Sequence, residues 1–174
     1  MRIYRERIPA IARGIVLALK KDELIEFEGD AQDEVELDCA SVLHEYRRTD
    51  WELTEKARDL VSLRGLDYSH THKIKGRLAS ETNFSIGDSA IEWLVSQILE
   101  ILLQSNHVEE IYGDDNDLRR VIAPVLRKEL NVGSDLDEEV RKRIKNLQEG
   151  TTDFDVEYQK TMEKIRLSKG MANE

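Results

Sequence analysis

The sequence has few of the residues that interrupt helices or cross-link chains. It contains two prolines and nine glycines in 174 residues, and Cys39 is the single cysteine. One cysteine excludes an internal disulfide, so we expect a reducing compartment. Prolines and glycines this scarce favour helices over sandwiches and loop-rich folds. Ala, Leu, Glu, Lys and Arg are abundant, and they favour an all-α structure.

Long hydrophobic runs are also missing. The most apolar segment, Ala90 to Leu103, is shorter than the roughly 20 residues that span a bilayer, and it carries Glu92 and Glu100. The N-terminus starts with basic residues, but Arg13 divides its apolar run and no small-residue cleavage site follows. We therefore expect a cytoplasmic protein without a signal peptide or membrane segment.

Apolar residues recur at helical spacing along most of the chain, and they predict eight helices. In order, these helices cover residues 8–19, 35–46, 49–65, 69–80, 85–104, 115–130, 134–150 and 152–165. The run TDWE from Thr49 to Glu52 has the form of a capping box that begins the third helix, and Ser134 caps the seventh. Pro124 is expected to kink the sixth helix, because a proline inside a helix removes a backbone hydrogen bond.

One segment is compatible with a short strand. LIEFEG, residues 24–29, alternates apolar and acidic residues, and EVELD, residues 34–38, would be its hairpin partner. Val35 also fits the stripe of the second helix. We therefore favour helix for EVELD and leave the hairpin as the alternative.

The sequence resembles itself at a shift of 83 residues. That shift aligns residues 8–61 with residues 91–144 without a gap, and ten of the 54 pairs are identical. Roughly three identities are expected by chance from the composition. We therefore predict an internal duplication, with halves at 1–84 and 85–174 related by approximate twofold symmetry.

Within each predicted half, the first helix has a broad apolar face and the later helices have thin apolar stripes. Broad faces suit the core of a bundle, whereas thin stripes suit a two-helix hairpin. The prediction is a central four-helix bundle, built from the first two helices of each half, with two projecting helical hairpins.

Basic residues are concentrated in two places on a chain whose net charge is −10. Residues 1–21 carry a net charge of +5, and residues 70–77 carry three permanent bases, two histidines and no acid. The best candidates for contact with phosphate are His70, Lys73, Lys75 and Arg77. No aromatic residue lies between them to stack on bases. Nucleic-acid binding through these two segments is therefore the second of two functional hypotheses.

A third basic run, Arg141 to Lys145, follows an acidic run. Each of Asp137, Glu138 and Glu139 lies four residues before a base, an order that stabilises a solvated helix face. We expect this run to form ion pairs along a helix and not a nucleic-acid footprint.

The first functional hypothesis is a scaffold that binds a protein partner through its helical hairpins. In the second hairpin, two narrow apolar stripes face each other. They consist of Leu136, Val140, Ile144 and Leu147 on one helix and Phe154, Tyr158, Met162 and Ile165 on the other. We expect this hairpin to pivot about residues 130–135, where Gly133 relaxes the backbone, and to present Arg141, Lys145 and Arg166 to the partner.

Residues that commonly carry chemistry do not form a recognisable site. His70 and His72 diverge on a helix, and the carboxylates of residues 113–118 lack the glycine and distal glutamate of a calcium loop, so capping is expected there. Cys39 lies on the apolar stripe of the second helix, where a core thiol is expected. We predict no catalytic residue, no metal, no cofactor and no enzymatic activity.

Three long phrases resemble one bacterial family. They are MRIYRERIPAIARGI at the start, VELDCASVLHEYRRTDWELTEKARDL in the first half and EEVRKRIKNLQEGTTDFDVEYQKTMEKI near the end. They are similar to the domain-of-unknown-function family numbered five hundred and seven, over essentially the whole chain. The resemblance implies a helical, cytoplasmic, bacterial protein. Because that family has no established activity, the resemblance implies no catalytic or binding residues.

Overall fold

The computed structural model describes residues 3–148 and 151–168, and these residues are mostly helical. They form six α-helices and two short strands. In chain order the elements are α1 (Ile8–Lys21), β1 (Ile25–Phe27), α2 (Gln32–Leu63), α3 (Thr71–Glu81), α4 (Ala90–Gln104), β2 (Val108–Ile111), α5 (Asp115–Arg143) and α6 (Thr152–Ser168). The prediction of a helical protein is confirmed, and one small ribbon is added to it.

The first helix forms where its apolar spacing predicts it. Pro9 lies in the first turn, where a missing backbone N–H costs nothing. The apolar face is fully buried, and it consists of Ile8, Ile11, Ala12, Ile15, Val16 and Leu19. After Lys21 the backbone turns through Glu23, which has a φ of 54°. α1 therefore contributes a broad apolar face to the core.

The predicted second and third helices are one continuous helix, α2, of 32 residues. The TDWE box at Thr49 does not begin a helix, because an N-cap residue needs a non-helical backbone and the helical backbone continues through this point. The buried stripe also continues across it, from Tyr46 to Leu53, Ala57 and Val61. Continuous burial of one face therefore overrides a local capping pattern.

α5 likewise joins the predicted sixth and seventh helices into one helix of 29 residues. Pro124 lies inside it with its ring exposed to solvent. The helix also continues through residues 130–135, so the predicted cap at Ser134 is wrong. The predicted pivot at these residues stays a prediction. Leu130 at the start of this stretch and Leu136 after it are both buried.

α4 begins at Ala90, later than the predicted start at Ser85, because residues 87–89 form a 3-10 turn. An aromatic cluster fixes this entry: the Tyr46 hydroxyl donates to the Ser85 carbonyl (3.1 Å), and Trp93 Nε1 donates to the Asn83 carbonyl (3.1 Å). α4 is the most apolar helix of the chain. Still, among residues 3–148 and 151–168 no helix has the length and apolar content needed to cross a membrane.

Helix packing divides the structure into a core and two arms. α1 packs against α2 and α5, and α4 packs against the same two helices. α3 packs on α2, and α6 packs on α5. We call α3 with residues 49–63 of α2 the first arm, and α6 with residues 135–143 of α5 the second arm. One apolar cluster fills the core, and a separate one fills the second arm.

The two strands form a small ribbon, in which β1 contacts α1 and β2 contacts α4. β1 and β2 are antiparallel, with Ile25 opposite Ile111 and Glu26 opposite Glu110. The strand predicted within LIEFEG is therefore present, but its predicted partner EVELD lies in α2. A sequence cannot easily show this pairing, because the two strands are about 80 residues apart in the chain.

Candidate functional site

A groove on the first arm brings together three of the four residues predicted to contact phosphate. His70, Lys73 and Arg77 are separated by three and four residues, so they share one side of α3 and the turn before it. They line a groove between α3 and the C-terminal end of α2. Arg64, which follows α2 directly, completes the basic rim.

The floor of this groove is apolar. It consists of Leu60 and Leu66 on one side, and of Ile74 and Leu78 from α3 on the other. Leu66 remains 39% exposed, and the other three side chains are half-buried. The groove has a volume of about 360 Å³. That volume lies near the lower end of the range for ligand sites, about 300–1,000 Å³.

The charges at the rim are only partly neutralised. Arg77 pairs with Glu81 at 2.9 Å, and Glu81 is the one acidic residue that lines the groove. Within the described part of the chain, the side chains of Arg64 and Lys73 have no ion pair. The rim is therefore a local positive region on an acidic protein.

A short turn before α3 positions His70. The carboxylate of Asp67 accepts a hydrogen bond from the Ser69 backbone N–H at 2.9 Å. Hydrogen bonding from the Ser69 side chain, and then from this backbone N–H, lowers the pKa of Asp67. Nδ1 of His70 donates to the Asp67 carbonyl at 3.2 Å. Nε2 is the ring nitrogen left for a contact at the groove.

Lys75, the fourth predicted phosphate contact, lies outside the groove. Its Nζ donates to the carboxylate of Asp50 on α2 at 2.6 Å. The two side chains are 15% and 27% exposed. Lys75 is therefore already paired with a carboxylate on α2 and does not line the groove, and its predicted contact with phosphate stays a prediction.

Comparison with known proteins gives one decisive match. A sequence model described as "Protein of unknown function (DUF507)" matches residues 1–171. The chain belongs to the DUF507 family. The resemblance found in the sequence is thereby confirmed over nearly its whole length. No curated protein matches the chain.

In this DUF507 protein, one of the three predicted contacts of the second arm is already paired. Arg141 donates to Asp137 at 2.7 Å, and its guanidinium lies 6.0 Å from the centre of the Phe154 ring. Lys145 is exposed just beyond the end of α5. The side chain of Arg166 lies outside the described residues.

The second arm is closed by its own side chains, as the two predicted apolar stripes require. Phe154, Tyr158, Met162 and Ile165 are buried against Leu136, Val140 and Ile144. Leu147 packs against this cluster as a half-buried residue.

Two contacts also fasten the second arm to the rest of the DUF507 protein. The hydroxyls of Tyr4 and Tyr158 form a hydrogen bond of 3.1 Å, which ties the start of the chain to α6. Arg58 on α2 approaches Asp155 on α6 at 3.4 Å. A pivot of this arm would have to break both contacts.

The basic residues near the N-terminus are dispersed. Arg7 forms an ion pair with Glu129 on α5. Lys20 donates to Gln32 at 2.8 Å and lies 5.6 Å from the centre of the Phe27 ring. Arg13 is exposed on the outer side of α1. Arg7 and Lys20 are therefore already engaged by other parts of the protein.

Two predictions of a structural role for charged residues are confirmed. Asp137–Arg141, Glu138–Lys142 and Glu139–Arg143 are ion pairs at 2.7, 2.7 and 2.8 Å. The carboxylates of residues 113–118 cap α5: Asp114 and Asp117 each accept from the backbone N–H of the other in a capping box.

Sequence reasoning missed Arg64, Leu60 and Leu66. Leu60 lies in the last turn of α2, and Arg64 and Leu66 follow that helix. No pattern in the neighbouring sequence indicates that these residues face residues 73–78. The spacing of Leu60 and Arg64, four residues apart on the outer side of the helix, is the one indication that they share a surface.

Proposed function

We propose that this DUF507 protein is a non-enzymatic scaffold that binds a protein partner through its first arm. The observation that carries the proposal is the groove of the first arm, with its apolar floor of Leu60, Leu66, Ile74 and Leu78 and its basic rim. Protein partners are held by apolar anchors surrounded by polar contacts that fix orientation. The groove offers both within one projecting pair of helices.

The two arms support this choice by their difference. The second arm is filled by its own aromatic and aliphatic side chains. In the first arm, α3 contributes Ala79 as its buried residue, and Ile74 and Leu78 stay half-buried at the groove. The first arm therefore has apolar surface left for a partner.

The composition of the groove favours binding over catalysis. The nine residues that line it include no serine, threonine or cysteine that His70 could activate as a nucleophile. Cys39, the single cysteine, is buried in the core, and its burial raises the pKa of the thiol to about 12. A thiol with that pKa carries almost no reactive thiolate at neutral pH.

Nucleic-acid binding at the same rim is the second candidate. It is favoured by the clustering of Arg64, Lys73 and Arg77, because phosphate binding depends on such clusters. Two observations count against it: the floor is aliphatic, and the net charge of the protein is −10. Steep weakening of binding with salt would distinguish this candidate from an apolar protein contact.

We also propose that the chain arose by internal duplication and works in the bacterial cytoplasm. The duplication is supported by the order of elements, since a helix, a strand, a long helix and an arm helix occur twice in succession. The packing supports it too, because α1 and α4 each contact both long helices. An experimental structure in which residues 8–61 do not superpose on 91–144 would contradict the duplication.

Site-specific photo-crosslinking in the host cell tests the proposed function. A photoreactive amino acid replaces Lys73 at the rim, and the matched control replaces Lys160, which is exposed on α6. We expect a protein adduct from position 73 and none from position 160. The adduct protein, identified by mass spectrometry and purified, should bind the wild type and lose binding to R64E/K73E. Equal adducts at both positions, or an adduct removed by nuclease, would contradict the proposal.

A further inference from the structure

We infer that the groove of the first arm holds an acidic amphipathic helix of the partner protein. This inference rests on the proposed function and adds the chemistry of the occupant. It follows from three features of the described residues: the shape of the apolar floor, the sign of the rim, and the orientation of α3.

The floor matches a helix in length and in pattern. The groove extends along α3, whose 11 residues span about 16 Å at 1.5 Å per residue. Ile74 and Leu78 form one apolar row, and Leu60 and Leu66 face them. An amphipathic helix that places apolar residues at every third or fourth position fills such a groove over about three turns.

The rim selects the sign of the flanking residues. Arg64 and Lys73 have no ion pair within residues 3–148 and 151–168, so their charges are available to a ligand. Arg77 already shares its charge with Glu81. A partner with acidic residues beside its apolar ones gains contacts at this rim, whereas a basic partner meets like charge.

The first turn of α3 adds to this preference. It contains no acidic residue, and the carboxylate of Asp67 in the turn before it already accepts the Ser69 backbone N–H. His70 and Lys73 lie at this same end. Carboxylates of a bound helix near this end therefore experience an attraction from the backbone as well as from the rim.

The aliphatic floor also favours a peptide helix over a nucleic acid as the ligand. Leu60, Leu66, Ile74 and Leu78 offer aliphatic surface, which a phosphate backbone cannot use. Single-stranded nucleic acid prefers large aromatic platforms, and the lining residues include no Phe, Tyr or Trp. The ligand that uses both floor and rim is apolar on one side and acidic on the other.

Fluorescence anisotropy with the full-length protein tests the inference. The probe is a pool of labelled helical peptides of about 20 residues, long enough to hold some helix alone, made of Leu, Glu and Ala in shifted registers. Comparison pools replace Glu by Lys or Leu by Ser, and a single-stranded RNA oligonucleotide serves as a fourth ligand. The protein variants are R64E/K73E and, as a matched double charge reversal on the second arm, K160E/K164E. Circular dichroism checks that each variant keeps its helical content.

We expect the acidic pool to bind the wild type and K160E/K164E equally, and R64E/K73E to bind it about tenfold or more weakly. Both substituted pools should bind the wild type weakly. The inference is overturned if the acidic pool does not bind, if R64E/K73E binds it as the wild type does, or if RNA binds more tightly than the peptides. A protein adduct at position 73 together with no binding of the acidic pool would refute the inference and leave the proposed function standing.

Discussion

Replacement of Lys75 by Met should lower the free energy of unfolding. The same replacement of the nearby Lys73 should leave that free energy almost unchanged. Lys75 pairs with Asp50 across the first arm at 2.6 Å. Methionine keeps most of the aliphatic stem and removes the charge. Asp50 is then left without its cation in a partly buried position, so the change isolates the ion pair from the packing around it.

The burial of the pair sets the expected magnitude. Exposed ion pairs contribute about 0–1 kcal/mol, and breaking a fully buried pair costs about 3–5 kcal/mol. The side chains of Lys75 and Asp50 are 15% and 27% exposed, between those limits. A hydrogen bond to a charged group contributes about 1.5–3 kcal/mol. We therefore expect K75M to lower the free energy of unfolding by about 1.5–3 kcal/mol.

Urea unfolding followed by circular dichroism measures this loss, and a double-mutant cycle identifies its source. D50N should cost a similar amount, and D50N/K75M should cost less than the sum of the single changes, because the pair is already broken in either. K73M is the matched control, since Lys73 is exposed, and it should stay within about 0.5 kcal/mol of the wild type. Additive costs in the cycle, or equal costs for K75M and K73M, would refute the assignment of Lys75 to the arm.

Three further outcomes are expected. T71V should raise the free energy of unfolding by up to about 1 kcal/mol in urea titrations, because within the described residues the buried Thr71 hydroxyl has no hydrogen-bond partner; a loss of stability would show that it has one. Y4F removes the contact with the Tyr158 hydroxyl and should cost about 0.5–1.5 kcal/mol, with faster amide exchange in residues 154–165; unchanged exchange there would contradict the fastening of the second arm. Burial raises the pKa of Cys39 from 9.0 to about 12, so the folded state holds the thiol proton more tightly. The contribution of this thiol to the free energy of unfolding is fully present below about pH 9, and it is lost as the pH rises toward 12. The urea midpoint should therefore fall less for C39A than for the wild type between about pH 8 and about pH 10.5, and equal falls would contradict the burial of the thiol.

The sequence predicts the helices correctly where the buried apolar stripe is strong. It does not predict correctly where α2 and α5 end, because both helices continue past a predicted boundary. Residues 8–19 carry a complete apolar face, so periodicity alone indicates α1. At Thr49 and at Ser134 a local capping pattern competes with a stripe that continues on both sides. The structure follows the stripe, because burial of a whole face outweighs one capping interaction of about 1 kcal/mol.

The candidate site was half predictable for a related reason. The spacing of His70, Lys73 and Arg77 on one helix is visible in the sequence, and the structure keeps them together. Lys75 is two residues from Lys73 on the same helix, so the two side chains point to opposite sides of α3. The sequence alone does not show which of these sides faces the groove. Arg64 and Leu60 reach the site by the packing of α3 on α2, which no local pattern reveals.

Backbone NMR titration tests the groove most directly. The acidic Leu–Glu–Ala peptide pool, added to the uniformly labelled full-length protein, should shift the amide resonances of residues 60–66 and 70–81. The amides of residues 135–143 and 152–168 on the second arm should stay in place. Shifts confined to the second arm, or spread evenly over the protein, would contradict the claim that the groove of the first arm is where this protein binds its partner.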